Sequence, residues 1–356
     1  MQNQINQRDM QQNCAVNERK LQHINIIQQD AHVDRNHNYF DQIHLTHRAL
    51  PEIDLDAVDT HVEFMGKRLT FPLLISCMTG GDHEQLHTIN RNLATAAQQA
   101  GVAMGVGSQR VMFTHPEAQK SFQLREYAPS TLLFANLGAI QLNNGMDASS
   151  CQQALDVVGA DALCLHLNPL QEAVQPEGDT NFGGLAARIK QVVQGVNKPV
   201  VVKEVGAGIS AQDAQLLMNC GVKTIDVAGS GGTSWSRIEH HRHTTCQNSV
   251  GELLQDWGIP TPIALKNLSH LRSHITLIAS GGIRSGLDMV KAMILGASLC
   301  GMAKPFLQPA MQSAQSVLKL IRSLHRQFQI AMFLLGVKNV KQLQGNTQLI
   351  CQWSHQ

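Results

Sequence analysis

The chain has 356 residues, and its 28 lysine and arginine residues nearly balance its 27 aspartate and glutamate residues. A net charge of +1 argues against a general basic surface for nucleic acid or an anionic membrane. The eight cysteines include no C-x-x-C pair, and no apolar run reaches the ~18 residues of a membrane span, which argues against a zinc site, a disulfide framework and a membrane protein. We therefore expect a cytoplasmic protein with reduced cysteines.

The segment before the main body of the chain carries a compact cationic group. Arg19, Lys20 and His23 lie within ERKLQHI, where they could hold a phosphate through charge-assisted hydrogen bonds. The alternative is a solvated basic turn. Residues 54–74 then alternate in polarity around a Gly-Lys turn, which predicts a hairpin leading into the main domain.

From Phe71 onward, a strand-like run followed by a helix-like run recurs about every 25 to 40 residues, as in parallel βα units. Eight such units favour a closed (β/α)₈ TIM barrel over an open doubly wound sheet, which usually has fewer strands and one switch point. The predicted strands cover residues 73–78, 102–106, 132–137, 162–167, 199–204, 224–228, 276–279 and 298–301. The predicted helices include residues 84–99, 184–194, 211–219, 287–295 and 311–335.

The connection after the sixth predicted strand is too long for one simple loop and helix. It predicts a lid or an extra helix near residues 260–271. The N-terminal stretch is rich in glutamine and asparagine, which predicts disorder. The predicted organisation is a disordered tail at 1–17, an arm and hairpin at 18–70, the barrel at 71–340 and a C-terminal tail at 341–356.

Glycine-rich turns follow the sixth and seventh strands, where barrels of this kind commonly bind phosphate. Gly229 begins GSGG and Ser280 begins SGGIR, and the backbone N–H groups of two such turns predict a phosphate cradle, whereas one alone would be a flexible turn. Lys203 lies within the apolar run VVVKEVG and needs a partner, because an unpaired buried ammonium is costly. A flavin or another phosphate-bearing cofactor would satisfy it. The alternative is an ion pair with Glu204 or another strand carboxylate.

The fourth strand, ALCLHL, runs into the densest polar group of the chain. His166, Asn168, Gln171 and Glu172 follow one another around a proline, and the oxygen ligands suit a hard cation while the histidine can donate a hydrogen bond or a proton. The alternative is a core histidine beside a solvated loop. The histidine run at 238–245, IEHHRHTT, has no second ligand group of recognised spacing, so we do not expect a transition metal there.

In their order and combination, these motifs resemble the type 2 isopentenyl-diphosphate isomerases, FMN-dependent enzymes of isoprenoid synthesis. The resemblance covers nearly the whole chain between residues 19 and 336. One position departs from it, because Gln22 stands where family members often carry an acidic residue. The motifs are RKxxHI at Arg19, MTGG at Met78, GSQR at Gly107, NLG at Asn136, HLNPLQE at His166, PEGDTNF at Pro176, KEVGAG at Lys203, GSGGTSW at Gly229 and SGGIRSG at Ser280.

The resemblance implies that reduced FMN interconverts isopentenyl and dimethylallyl diphosphate, with NADPH or NADH and Mg²⁺ required. It also leads us to expect a homo-oligomer. The residues implied to hold the cofactor are Met78, Thr79, Gly80, Ser108, Asn136, Lys203, Thr233, Gly281, Gly282, Ala303 and Lys304. Those implied to bind the substrate diphosphate are Arg19, Lys20, His23, Arg110, His166, Asn168 and Gln171, with His166 and Gln171 catalytic and Glu172 a ligand of Mg²⁺.

Two other functions compete with this interpretation. An FMN-dependent α-hydroxy-acid oxidase or dehydrogenase shares the late glycines and the strand-five lysine, but it predicts a catalytic histidine and arginine and no Mg²⁺. A non-catalytic flavin or phosphate-binding scaffold would keep the glycines and lose groups such as Gln171 and Glu172. The motifs HLNPLQE and RKxxHI favour the isomerase.

Overall fold

The architecture is a closed barrel of eight parallel strands, as predicted. A computed structural model describes residues 19–35, 37–78, 80–81, 83–242 and 250–354, so the predicted tail at 1–17 lies outside the described residues. Neighbours in sequence pair around the barrel, and β8 pairs back onto β1 with Cys300 opposite Leu73. The strands are β1 (Leu73–Ile75), β2 (Ala103–Gly105), β3 (Leu133–Gly138), β4 (Ala162–His166), β5 (Val200–Lys203), β6 (Thr224–Asp226), β7 (Thr276–Ser280) and β8 (Leu299–Met302).

All eight strand predictions are confirmed, with ends that differ by at most three residues. The strands read as nearly continuous apolar runs because they are buried on both faces. Inward-facing residues such as Leu74, Phe134 and Ile278 fill the barrel, while a larger apolar cluster packs between the strands and the outer helices. The barrel is therefore a packed core with its chemistry confined to its ends.

Helices follow the strands and cover the barrel. The α-helices are Glu84–Ala100, Val111–Thr114, Ala148–Val158, Pro169–Val174, Leu185–Gly195, Ala211–Asn219, Trp235–His240, Val250–Leu253, Thr261–Leu268, Gly286–Ile294, Lys304–Gln312, Ala314–Leu334 and Val340–Leu343. Short 3₁₀ turns lie at Ala31–Val33, Leu55–Ala57, Pro116–Phe122, Ala139–Asn144, Ser269–Leu271 and Thr347–Leu349. Residues 19–29 are also helical. The helix Thr261–Leu268 confirms the extra helix predicted between strands six and seven.

The helical stretch predicted over residues 311–335 is confirmed as Ala314–Leu334, which begins three residues later than predicted. A separate helix, Lys304–Gln312, precedes it. Ser313 separates them with an extended backbone, and its side chain accepts a hydrogen bond from the Ser316 N–H at 3.1 Å, which starts the second helix. The apolar pattern continues through Ser313, so periodicity alone did not reveal the break.

The predicted hairpin closes the amino end of the barrel. Strands Val62–Phe64 and Lys67–Leu69 pair in antiparallel fashion, and Phe64 and Leu69 pack into the cluster that fills the barrel interior. The turn lies at Met65 and Gly66, one residue earlier than the predicted Gly-Lys turn, and both turn residues have positive φ (49° and 75°) as a two-residue hairpin turn requires.

The two ends of the described chain meet in a small antiparallel sheet. Ile350–Trp353 pairs with Ile43–Leu45, so part of the predicted C-terminal tail contributes a strand. Within the described ranges, the longest helices remain too short or too polar to span a bilayer.

Candidate active site

A cavity opens at the carboxyl end of the barrel, and residues at or after the ends of all eight strands line it together with the N-terminal helix at 19–29. The predicted site residues that line it are Arg19, Lys20, His23, Met78, Ser108, Arg110, Asn136, His166, Asn168, Gln171, Glu172, Lys203, Thr233, Gly281, Gly282, Ala303 and Lys304. Gly80 does not line it, and a Cβ there would come within 2.6 Å of the Phe122 ring. Thr79 lies outside the described residues.

Backbone approaches backbone between the turns after β6 and β7. Gly281 and Gly282 have φ values of 89° and 77°, which favour glycine, and a Cβ on Gly281 would overlap the Gly229 carbonyl oxygen. A Cβ on Gly232 would lie 2.7 Å from the Gly282 nitrogen. Beside them, the helix Lys304–Gln312 begins after Ala303 without a side-chain cap, and both Ala303 and Lys304 line the cavity. These features have the geometry that a phosphate cradle requires, and we call this group of turns the cradle.

Lys203 ends β5 and is buried in the cavity floor, in register with Asp226 of β6. Its Nζ donates to the Glu204 carbonyl oxygen at 2.5 Å. Burial lowers the pKa of Lys203, but the nearby acidic groups, Asp226 foremost, together outweigh burial and raise that pKa above its usual value. Asp226 accepts from the Ser280 hydroxyl at 2.7 Å, while its other carboxylate oxygen is buried without a partner. Lys203 therefore lines the cavity and has a strand carboxylate nearby.

His166 is neutral in the protein as it stands. Burial and the positive charges of Lys203 and Lys20 lower its pKa to about 3. Its Nδ1 lies 2.9 Å from Asn136 Oδ1, and the Asn136 amide nitrogen donates to the Val106 carbonyl oxygen at 3.1 Å. Because that bond fixes the orientation of the amide, Nδ1 carries the proton and donates it, and Nε2 is left as an acceptor.

The residues after β4 form a hydrogen-bonded group. The Asn168 amide donates to Glu172 Oε1 at 2.9 Å and to Gln171 Oε1 at 3.2 Å. The other carboxylate oxygen of Glu172 accepts from the Gln175 amide at 2.6 Å and from the Asp179 N–H at 2.8 Å. Asn168 Oδ1 is buried without a partner. The group thus presents a carboxylate and a free amide oxygen, both of which suit a hard cation.

The N-terminal helix brings positive charge to the same end of the cavity. Burial lowers the pKa of Lys20 to about 8, with further lowering by Arg19 and Arg110 and opposition from the Glu239 carboxylate. The Nε atom of Arg19 is buried without a hydrogen-bond partner. Three neighbouring cations repel one another unless a polyanion joins them, so this end of the cavity suits a diphosphate.

Glu239 is a central residue that the sequence patterns did not identify. Its side chain is fully buried, and it accepts from the Gln171 amide at 2.8 Å and from Arg242 Nη1 at 2.6 Å. It lies 3.1 Å from His23 Nε2. Burial raises the pKa of Glu239, but its contacts with these three neighbours, His23 first, together outweigh burial and hold that pKa at about 2. The sequence pattern that could have identified Glu239 was its position directly before the histidine run, but no motif assigns a role to that position.

Comparison with known proteins agrees with this geometry. Residues 20–124 and 149–350 match the model of the FMN-dependent dehydrogenase family. The isopentenyl-diphosphate delta-isomerase of Paracoccus zeaxanthinifaciens is 52% identical over 338 residues, which cover 94% of this chain and 97% of that protein. The chain belongs to the isopentenyl-diphosphate delta-isomerase family. The isomerase of Hydrogenovibrio crunogenus is 50% identical, over 94% of this chain and 98% of its own.

Solved structures of FMN-dependent oxidases share the fold of this chain. A mandelate oxidase variant with an FMN adduct has a TM-score of 0.60 at 19% identity, over 87% of this chain and 88% of its own. A flavocytochrome b2 variant with pyruvate bound has a TM-score of 0.63 at 18% identity, over 88% of this chain and 77% of its own. At such identities the likeness shows the barrel fold alone.

The cavity residues fit FMN. The turn at Gly281 packs so closely on the Gly229 backbone that no Cβ fits between them. The cradle is therefore lined by backbone, whose N–H groups can bind a phosphate. Deeper in the cavity, the Ser76 hydroxyl is buried without a partner, and the Lys203 ammonium has donors to spare for a carbonyl or ring nitrogen. FMN has a phosphate at one end and hydrogen-bonding ring atoms at the other, as this donor set requires.

We predict that Gly281→Ala abolishes stable flavin binding, with the dissociation constant for FMN raised about 100-fold or more, because the new Cβ forces the two turns apart. Flavin absorbance after gel filtration and titration of FMN fluorescence measure this. Gly145→Ala is the matched control, since Gly145 has a φ of 96° and a Cβ added there would meet nothing within 4 Å. Equal loss of flavin in both variants would mean that backbone strain, and not the contact between the turns, explains the effect.

Proposed function

We propose that the chain interconverts isopentenyl and dimethylallyl diphosphate with reduced FMN, a nicotinamide reductant and Mg²⁺. One observation carries the proposal: the cavity has a backbone cradle for one phosphate after β6 to β8 and, across the barrel, a separate cationic group for a second anion. A cofactor phosphate and a substrate diphosphate in one cavity require two such anion sites. Membership of the isomerase family supplies the reaction.

In this proposal the cofactor lies across the carboxyl end of the barrel, from the turns after β6 to β8 to the ends of β1, β2, β3 and β5. The phosphate end would be held by Thr233, Gly281, Gly282, Ala303 and Lys304, and the remainder by Met78, Thr79, Ser108, Asn136 and Lys203. Gly80 is left out of this assignment, because it does not line the cavity. When bound and reduced, FMN supplies the acid and base chemistry that shifts a carbon–carbon double bond. Such a cofactor is needed because a side chain rarely protonates an unactivated alkene at neutral pH.

The substrate diphosphate would lie against Arg19, Lys20, His23, Arg110, His166 and Asn168. His166 accepts at Nε2 while it is neutral, so a hydrogen bond from Nε2 to a phosphate oxygen requires this nitrogen to gain a proton. A nearby diphosphate favours that protonation by its negative charge. We therefore assign His166 to the diphosphate, with proton uptake when substrate binds.

Gln171 would lie beside the alkene, and Glu172 would bind Mg²⁺. The Gln171 amide is held at both ends, since its oxygen accepts from Asn168 and its nitrogen donates to Glu239. A fixed neutral carboxamide can orient the reacting carbon chain without adding charge. Within the described residues, no group of three or more histidine, cysteine, aspartate or glutamate side chains could hold a metal. A Mg²⁺ at Glu172 would thus complete its shell with phosphate oxygens and water, as Mg²⁺ commonly does.

The setting of the reaction is also part of the proposal. Six cysteines in the described ranges are free thiols, which suits the reducing cytosol. NADPH or NADH would reduce the flavin once, because the isomerisation itself involves no net oxidation. We also propose that the enzyme works as a homo-oligomer, because closed homo-oligomers are the commonest assemblies of soluble proteins.

The redox balance of the reaction can be measured directly. Under anaerobic conditions with FMN, Mg²⁺ and isopentenyl diphosphate, a small amount of NADPH should start many turnovers of dimethylallyl diphosphate formation. Chromatography that separates the two isomers, which have equal mass, and the absorbance of NADPH together give the number of product molecules formed per NADPH consumed. Consumption of one NADPH per product would rule out a redox-neutral isomerase.

The metal site can be tested at its proposed carboxylate. Glu172→Ala should raise the Mg²⁺ concentration needed for half-maximal activity about tenfold or more, because the single protein carboxylate of the site is lost. Bound FMN should be unchanged, which flavin absorbance checks. Glu126→Ala, at an exposed position before β3, serves as the control. The same Mg²⁺ dependence in both variants would remove Glu172 from the metal site.

The pH dependence should reveal the ionisation of Lys20. In the free enzyme its ammonium loses its proton near pH 8, and a diphosphate favours its charged form. Deprotonation of Lys20 should therefore lower kcat/KM for isopentenyl diphosphate. The value should be highest below pH 8 and fall by up to about tenfold per pH unit above it. Lys20→Arg keeps its charge at high pH, so its profile should lack this fall. An identical fall in both proteins would assign the ionisation to another group.

A further inference from the structure

A series of charged contacts joins the N-terminal helix to the loop after β4 and the segment after β6. Arg242 Nη2 donates to Glu177 Oε1 at 2.6 Å, and Arg242 Nη1 donates to Glu239 at 2.6 Å. Arg242 Nε donates to Gln22 Oε1 at 3.3 Å. Arg19 Nη1 donates to the same Glu177 oxygen at 3.3 Å. Glu177 is therefore the acceptor that links an arginine of the N-terminal helix to an arginine of the barrel.

The contact with Glu177 leaves one edge of Arg19 unused. Glu177 engages Nη1, while Nε is buried without a partner and the side chain, 15% exposed, lines the cavity. A guanidinium has five donors in a fixed plane, so binding one end of it sets the direction of the others. Nε and its neighbouring donors form the kind of edge that binds phosphate oxygens in pairs.

Glu177 is negatively charged where it stands. Burial raises the pKa of this carboxyl, but the hydrogen bond and charge of Arg242 outweigh burial and lower that pKa below its usual value. Its side chain remains 45% exposed, whereas Arg242 is 11% exposed. The carboxylate thus lies beside Arg19, which lines the cavity, and the mostly buried Arg242 fixes its position from the other side.

We propose that Glu177 is a positioning residue for substrate binding, which holds Arg19 by Nη1 so that its Nε edge faces the diphosphate. This inference rests on the diphosphate role proposed above for Arg19. In the competing arrangement, Glu177 binds Arg19 only in the absence of substrate, and the diphosphate displaces the carboxylate. Positioning predicts weaker substrate binding when the carboxylate is lost, and competition predicts tighter binding.

The test measures KM, kcat and flavin binding of the FMN-loaded enzyme with Glu177→Gln. This change removes the charge and keeps the shape of the side chain. We expect KM for isopentenyl diphosphate to rise about tenfold, as for loss of a charge-assisted bond, with kcat within about twofold. FMN affinity and Tm should not change. Glu126→Gln removes the same charge from an exposed site before β3 and controls for net charge.

Arg19→Ala and the double variant separate this inference from the proposed function. If Glu177 acts through Arg19, Arg19→Ala raises KM and adding Glu177→Gln to it changes KM no further. A KM that is unchanged or lower in Glu177→Gln, or that rises equally in both backgrounds, overturns the positioning role while the diphosphate role of Arg19 stands. An unchanged KM in Arg19→Ala overturns both assignments.

Discussion

Hydrogen bonding between β8 and β1 closes the sheet, and the site depends on this closure. Parallel strands in a closed barrel all end at the same rim, so residues far apart in sequence, such as Ser76 and Lys304, line one cavity. Closure also leaves no free strand edge, and the hairpin packs Phe64 and Leu69 into the opposite end. The carboxyl end is then the face at which polar groups gather.

The N-terminal segment covers that rim and is attached to it by charge. Asp30 accepts from Arg237 at 2.6 Å and lies 2.7 Å from His241 Nε2, so it ties the segment to the helix after β6. Asp34 contacts Arg284 and lies 3.1 Å from the Lys304 ammonium, beside the phosphate cradle. The histidine run, at which we did not expect a transition metal, therefore contributes to this attachment through His241. Paired carboxylates and cations hold the N-terminal helix where its own cations face the cavity.

The barrel and most cavity residues could be predicted because their signals are local. Where an apolar strand runs into a polar motif, the motif marks the residue at the carboxyl end of that strand. Eight repeats of this pattern indicate the barrel fold. Glu239 and Arg242 could not be found this way, because their partners lie in distant segments and no spacing rule connects them. The break at Ser313 was missed for a different reason, since it depends on one capping hydrogen bond within an unbroken apolar pattern.

The two ends of the cavity are built from different parts of the polypeptide. The cradle is made of backbone, which needs only a few glycines such as Gly281, whereas the cationic end is made of side chains on the N-terminal helix and the loop after β4. Backbone geometry survives sequence divergence that would erase a set of side chains. In a barrel of this design the side chains of the substrate end can therefore be replaced while the backbone of the cradle stays the same, and the barrel fold itself is shared at 18–19% identity.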